Sequence, residues 1–294
     1  MLLAVLLILI GVGVVCLAYA SLVERVWFAL RRHRVPCLPP GSRPVRVLHI
    51  SDLHFRNGQR RKRAFLSQLA KTEPDVLVGT GDFLGGADSV DATVDAMTQI
   101  HPKTAALYVL GSNDYYGSKP VNPFKYLAGP SNRRPPKGIP NPWRDLVAGL
   151  EGRGWRLINN EALTISLDGL GNVDVVGLDD PHLRRHDITV ASARSEQDGF
   201  RLGVVHSPDA APALAELGYD LIVCGHTHGG QLRIPGFGAI VTNSTLPREM
   251  ARGLHRLNGS WLHVSAGMGT NPFAPVRFAC RPEACLLELV PRDA

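Results

Sequence analysis

Five apolar runs in this chain break off abruptly at aspartate, asparagine or histidine, and this recurrence restricts the available folds more than any other feature. "VLHI" is followed by Asp52 and His54, "DVLVGT" by Gly81 and Asp82, and "ALYVL" by Gly111, Ser112, Asn113 and Asp114. "LGVV" runs into His206, and "DLIVCG" into His226, Thr227 and His228. Short apolar runs bounded by such residues read as buried strands. Between them, "RAFLSQLAKT", "SVDATVDAMTQI" and "DAAPALAELG" have helical spacing, as does the later "WRDLVAGLEGRG". The opening order of strand, helix, strand, helix, strand predicts a layered α/β domain. "ALTISL" and "VDVVGL" read as hairpin-type strands, and "WLHVSAG", "VRFAC" and "ACLLELV" as strands of the tail. One domain built on two packed sheets is the simplest expectation.

An isolated aspartate or histidine after a strand is ordinarily a turn former. Five in order are more than turns explain, because α/β sheets gather ligands outside the carboxyl ends of their strands. Carboxylate and imidazole ligands suit borderline divalent ions such as Mn²⁺, Fe²⁺, Co²⁺ or Zn²⁺ better than Mg²⁺, which prefers oxygen. Four histidines, two aspartates and an asparagine exceed one tetrahedral shell and suit two ions sharing a carboxylate. Such a pair clamps a phosphoryl group and supplies a bridging hydroxide as nucleophile.

The N-terminus carries a separate message. "MLLAVLLILIGVGVVCLAYASLV" holds no charged side chain over 23 residues, enough to cross ~30 Å of hydrocarbon as a helix. Arg25, Arg31, Arg32 and Arg34 follow, with Trp27 among them, a basic flank that favours retention on the cytoplasmic side. The alternative is a cleaved secretory signal ending near "AYA". No Lys or Arg precedes the run, and it is longer than a usual signal core, so the expectation is a single-pass anchor in the cell membrane. The expected divisions are a transmembrane anchor over 1–23, a basic, Pro-rich linker over 24–44 and a domain over 45–294 facing the cytoplasm.

A net charge of +6 over 294 residues suits an anionic partner but is not by itself a nucleic-acid signature, and no nucleic acid is expected. Five cysteines without a C-x-x-C pair weigh against a disulfide framework and favour a reducing compartment. Two basic stretches, "RRKR" at 60–63 and Arg133, Arg134 and Lys137 in a Pro-rich insert, follow ligand-bearing strand ends. They are candidates for gripping phosphates or anionic headgroups.

The order D-L-H, G-D, G-S-N-D, H-S-P, G-H-T-H-G-G resembles the calcineurin-like metallophosphoesterase superfamily, whose pattern is D-x-H, G-D, G-N-H-D/E, an isolated His, then G-H-x-H. The resemblance spans 45 to about 290, and "SAGMGTNPFAPVRF" is similar to the tail of bacterial membrane-associated members. It implies an α/β, four-layer fold, a β-sandwich flanked by helices. It implies a first metal held by Asp52, His54 and His228, with Asp82 bridging to a second held by Asn113, His206 and His226. The implied activity is hydrolysis of a phosphoester, with a phosphodiester or lipid-linked phosphate favoured for a domain tethered near a bilayer.

The third block departs from the pattern. Without a gap, Ser112 takes the place of the ligand asparagine. A one-residue shift makes Asn113 the ligand and puts Asp114 where the family has its catalytic histidine. The shift is preferred, since serine is a poor ligand for such ions. Asp114 then serves as the acid if its pKa is raised, or the substrate carries a good leaving group. The rival expectation is a catalytically weakened, metal-binding scaffold on the same fold.

Overall fold

The structure, a computed structural model, describes residues 1–117, 138–192, 199–270 and 273–292. Arg133, Arg134 and Lys137 lie outside them. The chain opens with helix α1 (Leu2–Ala18) and continues as short π and 3-10 turns to Val26. The first half of the domain comprises β1 (Ala29–Leu38), β2 (Val45–Ile50), α2 (Arg60–Leu69), β3 (Val76–Thr80), α3 (Val90–Met97) and β4 (Ala105–Val109). The one-turn α4 (Ser112–Tyr115), α5 (Trp143–Glu151) and β5 (Trp155–Leu157) complete it. The second half comprises β6 (Glu161–Leu167), β7 (Gly171–Leu178), β8 (Phe200–Val205), α6 (Ala211–Glu216) and β9 (Leu221–Cys224). After the two-residue strands β10 (Arg233–Ile234) and β11 (Gly238–Ala239) come β12 (Gly253–Leu257), β13 (Ser260–Val264) and β14 (Glu283–Pro291).

Two six-stranded sheets result, ordered β1-β14-β2-β3-β4-β5 and β12-β13-β9-β8-β7-β6. Period-2 side-chain alternation decides what each face meets. Val45 and Val47, Val76 and Val78, and Leu107 and Val109 point inward against Val173, Val175, Leu202, Val204, Leu221 and Val223 of the other sheet. The intervening Leu48, Ile50 and Leu77 face outward onto Leu66 and Leu69 of α2, Val94 and Met97 of α3, and Leu146 and Leu150 of α5. On the far side Val205, Ile222 and Cys224 pack on Ala211, Leu214 and Ala215 of α6. Helices, sheet, sheet and helix make the four layers implied by the resemblance. Both sheets are buried on both faces, so their central strands are apolar throughout rather than alternating.

The stretch 24–44, expected as a linker, contains β1, which pairs in parallel with β14 from Ala29 opposite Glu283 to Leu38 opposite Pro291. Glu24 is buried, and its carboxylate accepts from the amides of Ala279 (3.0 Å) and Cys280 (2.5 Å). Arg281 stacks on Trp27 at 4.0 Å and donates to the carbonyls of Trp27 and Phe28. The base of the N-terminal helix is therefore fixed to the domain by charge-assisted hydrogen bonds. Leu2–Val26 is long and apolar enough to cross a membrane, with a stretch of 18 residues of mean hydropathy 2.9, none of it buried.

"VRFAC" differs from its expectation. Among the described residues it makes only an isolated bridge, Phe278 with Leu232. Its role is carried by Arg277, fully buried, whose guanidinium donates to the carbonyls of Ala266 (2.7 Å), Gly267 (3.2 Å) and Gly269 (2.5 Å). Those carbonyls belong to the loop that closes over Asp52. All five cysteines are free thiols.

Candidate metal centre

The loops after β2 and β3 continue side by side beyond the sheet. Asp52 N donates to Gly81 O (2.9 Å), His54 N to Asp82 O (2.9 Å) and Phe55 N to Phe83 O (2.8 Å). Within these paired loops the backbone turns left-handed wherever a candidate ligand stands: φ is 48° at Asp52, 40° at His54 and 55° at Asp82. The loop after β9 repeats this at His226 (68°) and His228 (51°). Each such non-glycine residue costs on the order of 1–3 kcal/mol, and such strain collects at functional sites. The strained conformation turns these side chains inward over one rim of the sandwich.

Two clusters form about one carboxylate. Asp82 Oδ2 stands 3.6 Å from His54 Nε2. His54 Nε2 is 3.3 Å from His228 Nε2, which is 3.6 Å from Asp52 Oδ1. One ligand atom from each of Asp52, His54, Asp82 and His228 falls within 4.8 Å of the others. On the other side, Asp82 Oδ1 lies 3.5 Å from His206 Nε2, itself 3.3 Å from His226 Nδ1. Asn113 adjoins the same carboxylate, its side-chain amide 2.6 Å from Oδ2 and its backbone N–H donating to Oδ1 at 2.8 Å. All seven residues expected as metal ligands are thus brought together.

The donor set fits a cation. Asp52 Oδ1 is buried with no hydrogen-bond partner. His54 Nε2 and His228 Nε2 converge at 3.3 Å, and the buried Nδ1 of each ring has no hydrogen-bond partner. Thr80 O accepts from His206 Nδ1–H at 2.6 Å, so that the neutral ring of His206 presents its Nε2 lone pair to Asp82. At Asp52, Oδ2 is held by Ser51 Oγ–H (2.5 Å) and His226 N–H (3.0 Å), leaving Oδ1 for an ion.

Asp114 differs from its expected role as an acid. Its Oδ2 accepts from the backbone N–H groups of Asp82 (2.8 Å) and Gly111 (2.9 Å), and its Oδ1 from Phe83 (2.7 Å) and Leu84 (3.0 Å). It is fully buried beneath the Asp82 loop, not at the mouth of the site. Burial and the Asp82 charge push its carboxyl up to about 7, against the pull of these amides. Both oxygens are nevertheless committed to amide protons, so Asp114 positions Asp82 and offers no proton to a leaving group.

The electrostatics describe a site with surplus negative charge. Burial lowers His54 to about 4 and His226 to about 3, and holds His228 well below its ordinary value, so all three imidazoles are neutral. Burial works against charge on His206 too, yet Asp82, Asp52 and Asp180 outweigh it and raise it to about 9. A proton on His206 offsets these carboxylates, and a cation taken up at that nitrogen would displace it. Asp82 is pulled below the usual carboxylate range by His206 and His54 despite its burial, whereas burial lifts Asp52 to about 6.

Three neighbours lie outside the expected ligand set. Asp180, fully buried after β7, is pushed up to about 7 by burial and adds its charge to His206. Asn243 Nδ2 lies 3.3 Å from His226 Nε2, and the His182 ring is centred 5.1 Å from that of His226. The strand-end rule that picks out the other ligands applies equally to "VDVVGLDD". Its Asp-Asp-Pro composition instead favours a plain turn. Beside His54 opens a cleft of about 360 Å³, lined by Arg25, Arg56, Arg60, Arg61 and Lys62. Lys62 is buried, donates to Leu53 O at 2.5 Å, and is lowered to about 7 by burial and by Arg277, Arg25 and Arg56.

The model of the calcineurin-like phosphoesterase family matches residues 45–230. The chain is 27% identical to the uncharacterized metallophosphoesterase YkoQ of Bacillus subtilis, over 83% of each chain. It is 28% identical to the UDP-2,3-diacylglucosamine pyrophosphatase LpxG of Chlamydia trachomatis, again over 83% of each. It is 26% identical to the phosphodiesterase YaeI of Escherichia coli, over 92% of each.

Two outcomes follow from the geometry. A Cβ at Gly111 would collide with Asp82 Oδ1 and with His206 Cε1 at 2.7 Å. Gly111→Ala therefore displaces both groups and lowers turnover by ~10²-fold or more. Steady-state rates at saturating Mn²⁺ check this, and near-normal turnover contradicts it. The second concerns pH. His206 titrates higher in the folded chain than its ordinary value of ~6.5, so its stabilisation is complete below ~6.5 and is lost as pH rises through about 9. In chelator-treated protein the Tm advantage of wild type over His206→Gln shrinks from about pH 6 to about pH 9. A constant gap contradicts the assignment.

Proposed function

Since the chain belongs to the calcineurin-like phosphoesterase family, a family of metal-dependent hydrolases, we propose that it is a dinuclear phosphoesterase acting on a membrane-borne phosphoester. The observation that carries this reading is the placement of Asp82, whose Oδ2 faces His54 and whose Oδ1 faces His206. Asp52, His54 and His228 would hold one divalent ion, His206, His226 and Asn113 the other, and Asp82 would bridge them. Such ions would be of the Mn, Fe, Zn or Co class, given carboxylate and imidazole donors. When bound, they supply Lewis-acid polarisation of the phosphoryl oxygens and an activated water.

The chain's own residues do the rest. Asp114 fixes the loop carrying Asp82 through four amide hydrogen bonds. Thr80 O fixes the His206 tautomer. Coordination through the Asn113 carbonyl requires its amide to rotate from its present contact with Asp82 Oδ2. Asp114, which stands at the family's acid position, is committed to amides, which favours substrates whose leaving group departs without protonation: an activated diester or a phosphoanhydride. That class agrees with the pyrophosphatase and phosphodiesterase names of two relatives.

The basic cleft supports a membrane-borne substrate. Arg25 belongs to the base of the N-terminal helix and lines the same cleft as His54, while Glu24 locks that base to the domain. An anchored chain of this kind holds the metal rim against the headgroup layer, with Arg56, Arg60 and Arg61 placed to grip anionic groups. The basic flank supports a cytoplasmic-facing domain in the cell membrane.

Replacing Asp82 by Asn removes the shared negative charge and lowers hydrolysis of a nitrophenyl phosphodiester by at least ~10²-fold. Retained turnover contradicts the bridging role. A scaffold on this fold would bind metal with no turnover in the wild type. Arg60→Glu combined with Arg61→Glu raises KM for a phosphoanhydride carried in lipid vesicles by ~10-fold or more, since each lysine or arginine near an anionic surface is worth about 1 kcal/mol. The small soluble diester is hydrolysed as before. Equal effects on both substrates contradict a role in gripping the lipid-borne headgroup.

A further inference from the structure

A second group of metal-capable side chains lies between the two sheets, apart from the strand-end rim. His33 of β1 and Cys285 of β14 point inward from one sheet and His263 of β13 from the other, and one ligand atom from each lies within 4.8 Å of the others. His263 and Cys285 are fully buried and His33 half-buried. The rings of His33 and His263 are centred 5.3 Å apart.

A chain of hydrogen bonds running back from Asp52 settles which nitrogen of His263 carries a lone pair. Ser51 Oγ–H donates to Asp52 Oδ2 at 2.5 Å, and Thr80 Oγ1–H donates to Ser51 Oγ at 2.7 Å. Each hydroxyl has one proton, and both are used, so the 2.8 Å contact of Thr80 Oγ1 with His49 Nε2 requires that nitrogen to be the donor. Neutral His49 then offers only a lone pair at Nδ1, and the 2.9 Å contact with His263 Nδ1 requires His263 to donate. Burial holds both imidazoles neutral. His263 is therefore the Nδ1–H tautomer with a lone pair at Nε2. That atom is buried and has no hydrogen-bond partner. A buried imidazole lone pair without a partner is unfavourable unless something absent from the polypeptide meets it.

We propose that His33, His263 and Cys285 form a second metal site, for a thiophilic ion of the Zn²⁺ or Cu⁺ class, distinct from the dinuclear centre. One thiolate and two imidazoles are the donor set such ions select, with water from the open His33 side completing a tetrahedron. Bond lengths of about 2.0–2.3 Å place tetrahedral ligand atoms ~3.3–3.6 Å apart, so from atoms within 4.8 Å of one another closure needs a contraction of at most ~1.5 Å. His33 stands on an edge strand, where such movement is least resisted. In the metal-free protein, burial and Glu283 keep the Cys285 thiol protonated. On binding, the S–H bond breaks, the sulfur–metal bond forms and one proton leaves to solvent. Glu283, held by Ala266 N–H (3.1 Å) and lying 3.5 Å from Arg31, supplies further negative charge beside the site.

Cobalt separates this site from the rim, because the proposed rim ligands include no sulfur. Chelator-treated full-length protein in detergent is titrated with Co²⁺ and the sulfur-to-cobalt charge-transfer band in the near ultraviolet is followed. The band is expected in the wild type and in Asp82→Asn, where the rim centre is impaired, so the two sites fail independently. It is expected to vanish in Cys285→Ser, nearly isosteric with the wild type. In His33→Gln, on the half-exposed edge strand and so least able to disturb folding, cobalt affinity read from the band falls more than ~10-fold. Absence of the band in wild type at saturating Co²⁺, its persistence in Cys285→Ser, or unchanged affinity in His33→Gln overturns the proposal.

Discussion

Four backbone amides donating into one buried carboxylate, Asp114, are the contact on which the rest of the site depends. They pin the loop after β3 to the loop after β4, and Asp82 stands on the pinned loop with its Oδ2 facing His54 and its Oδ1 facing His206. A carboxylate accepting several amide hydrogen bonds is among the stronger positioning devices open to a protein, because each bond is charge-assisted and none is lost to water. With Asp82 fixed, Asn113 is held by its own contacts to that carboxylate, and His206 by the carbonyl of Thr80. The site is assembled outward from one buried anion.

That assembly is bought with strain elsewhere. The left-handed backbone at Asp52, His54, Asp82, His226 and His228 is unfavourable locally and persists because two sheets buried on both faces hold the strand ends rigid. Glycines stand where no side chain fits: a Cβ at Gly225 would strike Ser51 Oγ and Asp52 Oδ2, as one at Gly111 would strike Asp82. Convergent imidazole nitrogens and closely spaced carboxylates are a poor arrangement for the polypeptide alone and a good one for a cation. The same description fits the His263 nitrogen between the sheets, reached from Asp52 through Ser51, Thr80 and His49.

Much of this was legible in the residues. The strands carrying Asp52, Asp82, His206, His226 and His228 are apolar runs that stop abruptly, and a strand buried on both faces has no other way to display polar groups than at its end. The role of Asp114 was not legible, since it depends on amides of Phe83 and Leu84 brought beside it by the pairing of β3 with β4. Neither was β1, a stretch rich in arginine and proline whose partner β14 lies at the other end of the chain. "VRFAC" misled in the opposite sense: its strand-like composition serves one buried arginine that ties down carbonyls around Asp52. Asp180 reads from sequence as a turn residue, because its Asp-Asp-Pro neighbours give a sufficient local explanation.

The apolar N-terminal helix, the buried Glu24 at its base and the arginine-lined cleft beside His54 join the membrane-competent segment to the metal rim as one body. All of this matters for chemistry only if Asp82 is shared between two ions. Electron paramagnetic resonance of full-length protein loaded with Mn²⁺ reads that sharing directly. Two ions bridged by one carboxylate give an exchange-coupled spectrum that reverts to isolated-ion signals in Asp82→Asn. Isolated-ion signals alone in the fully loaded wild type would contradict it.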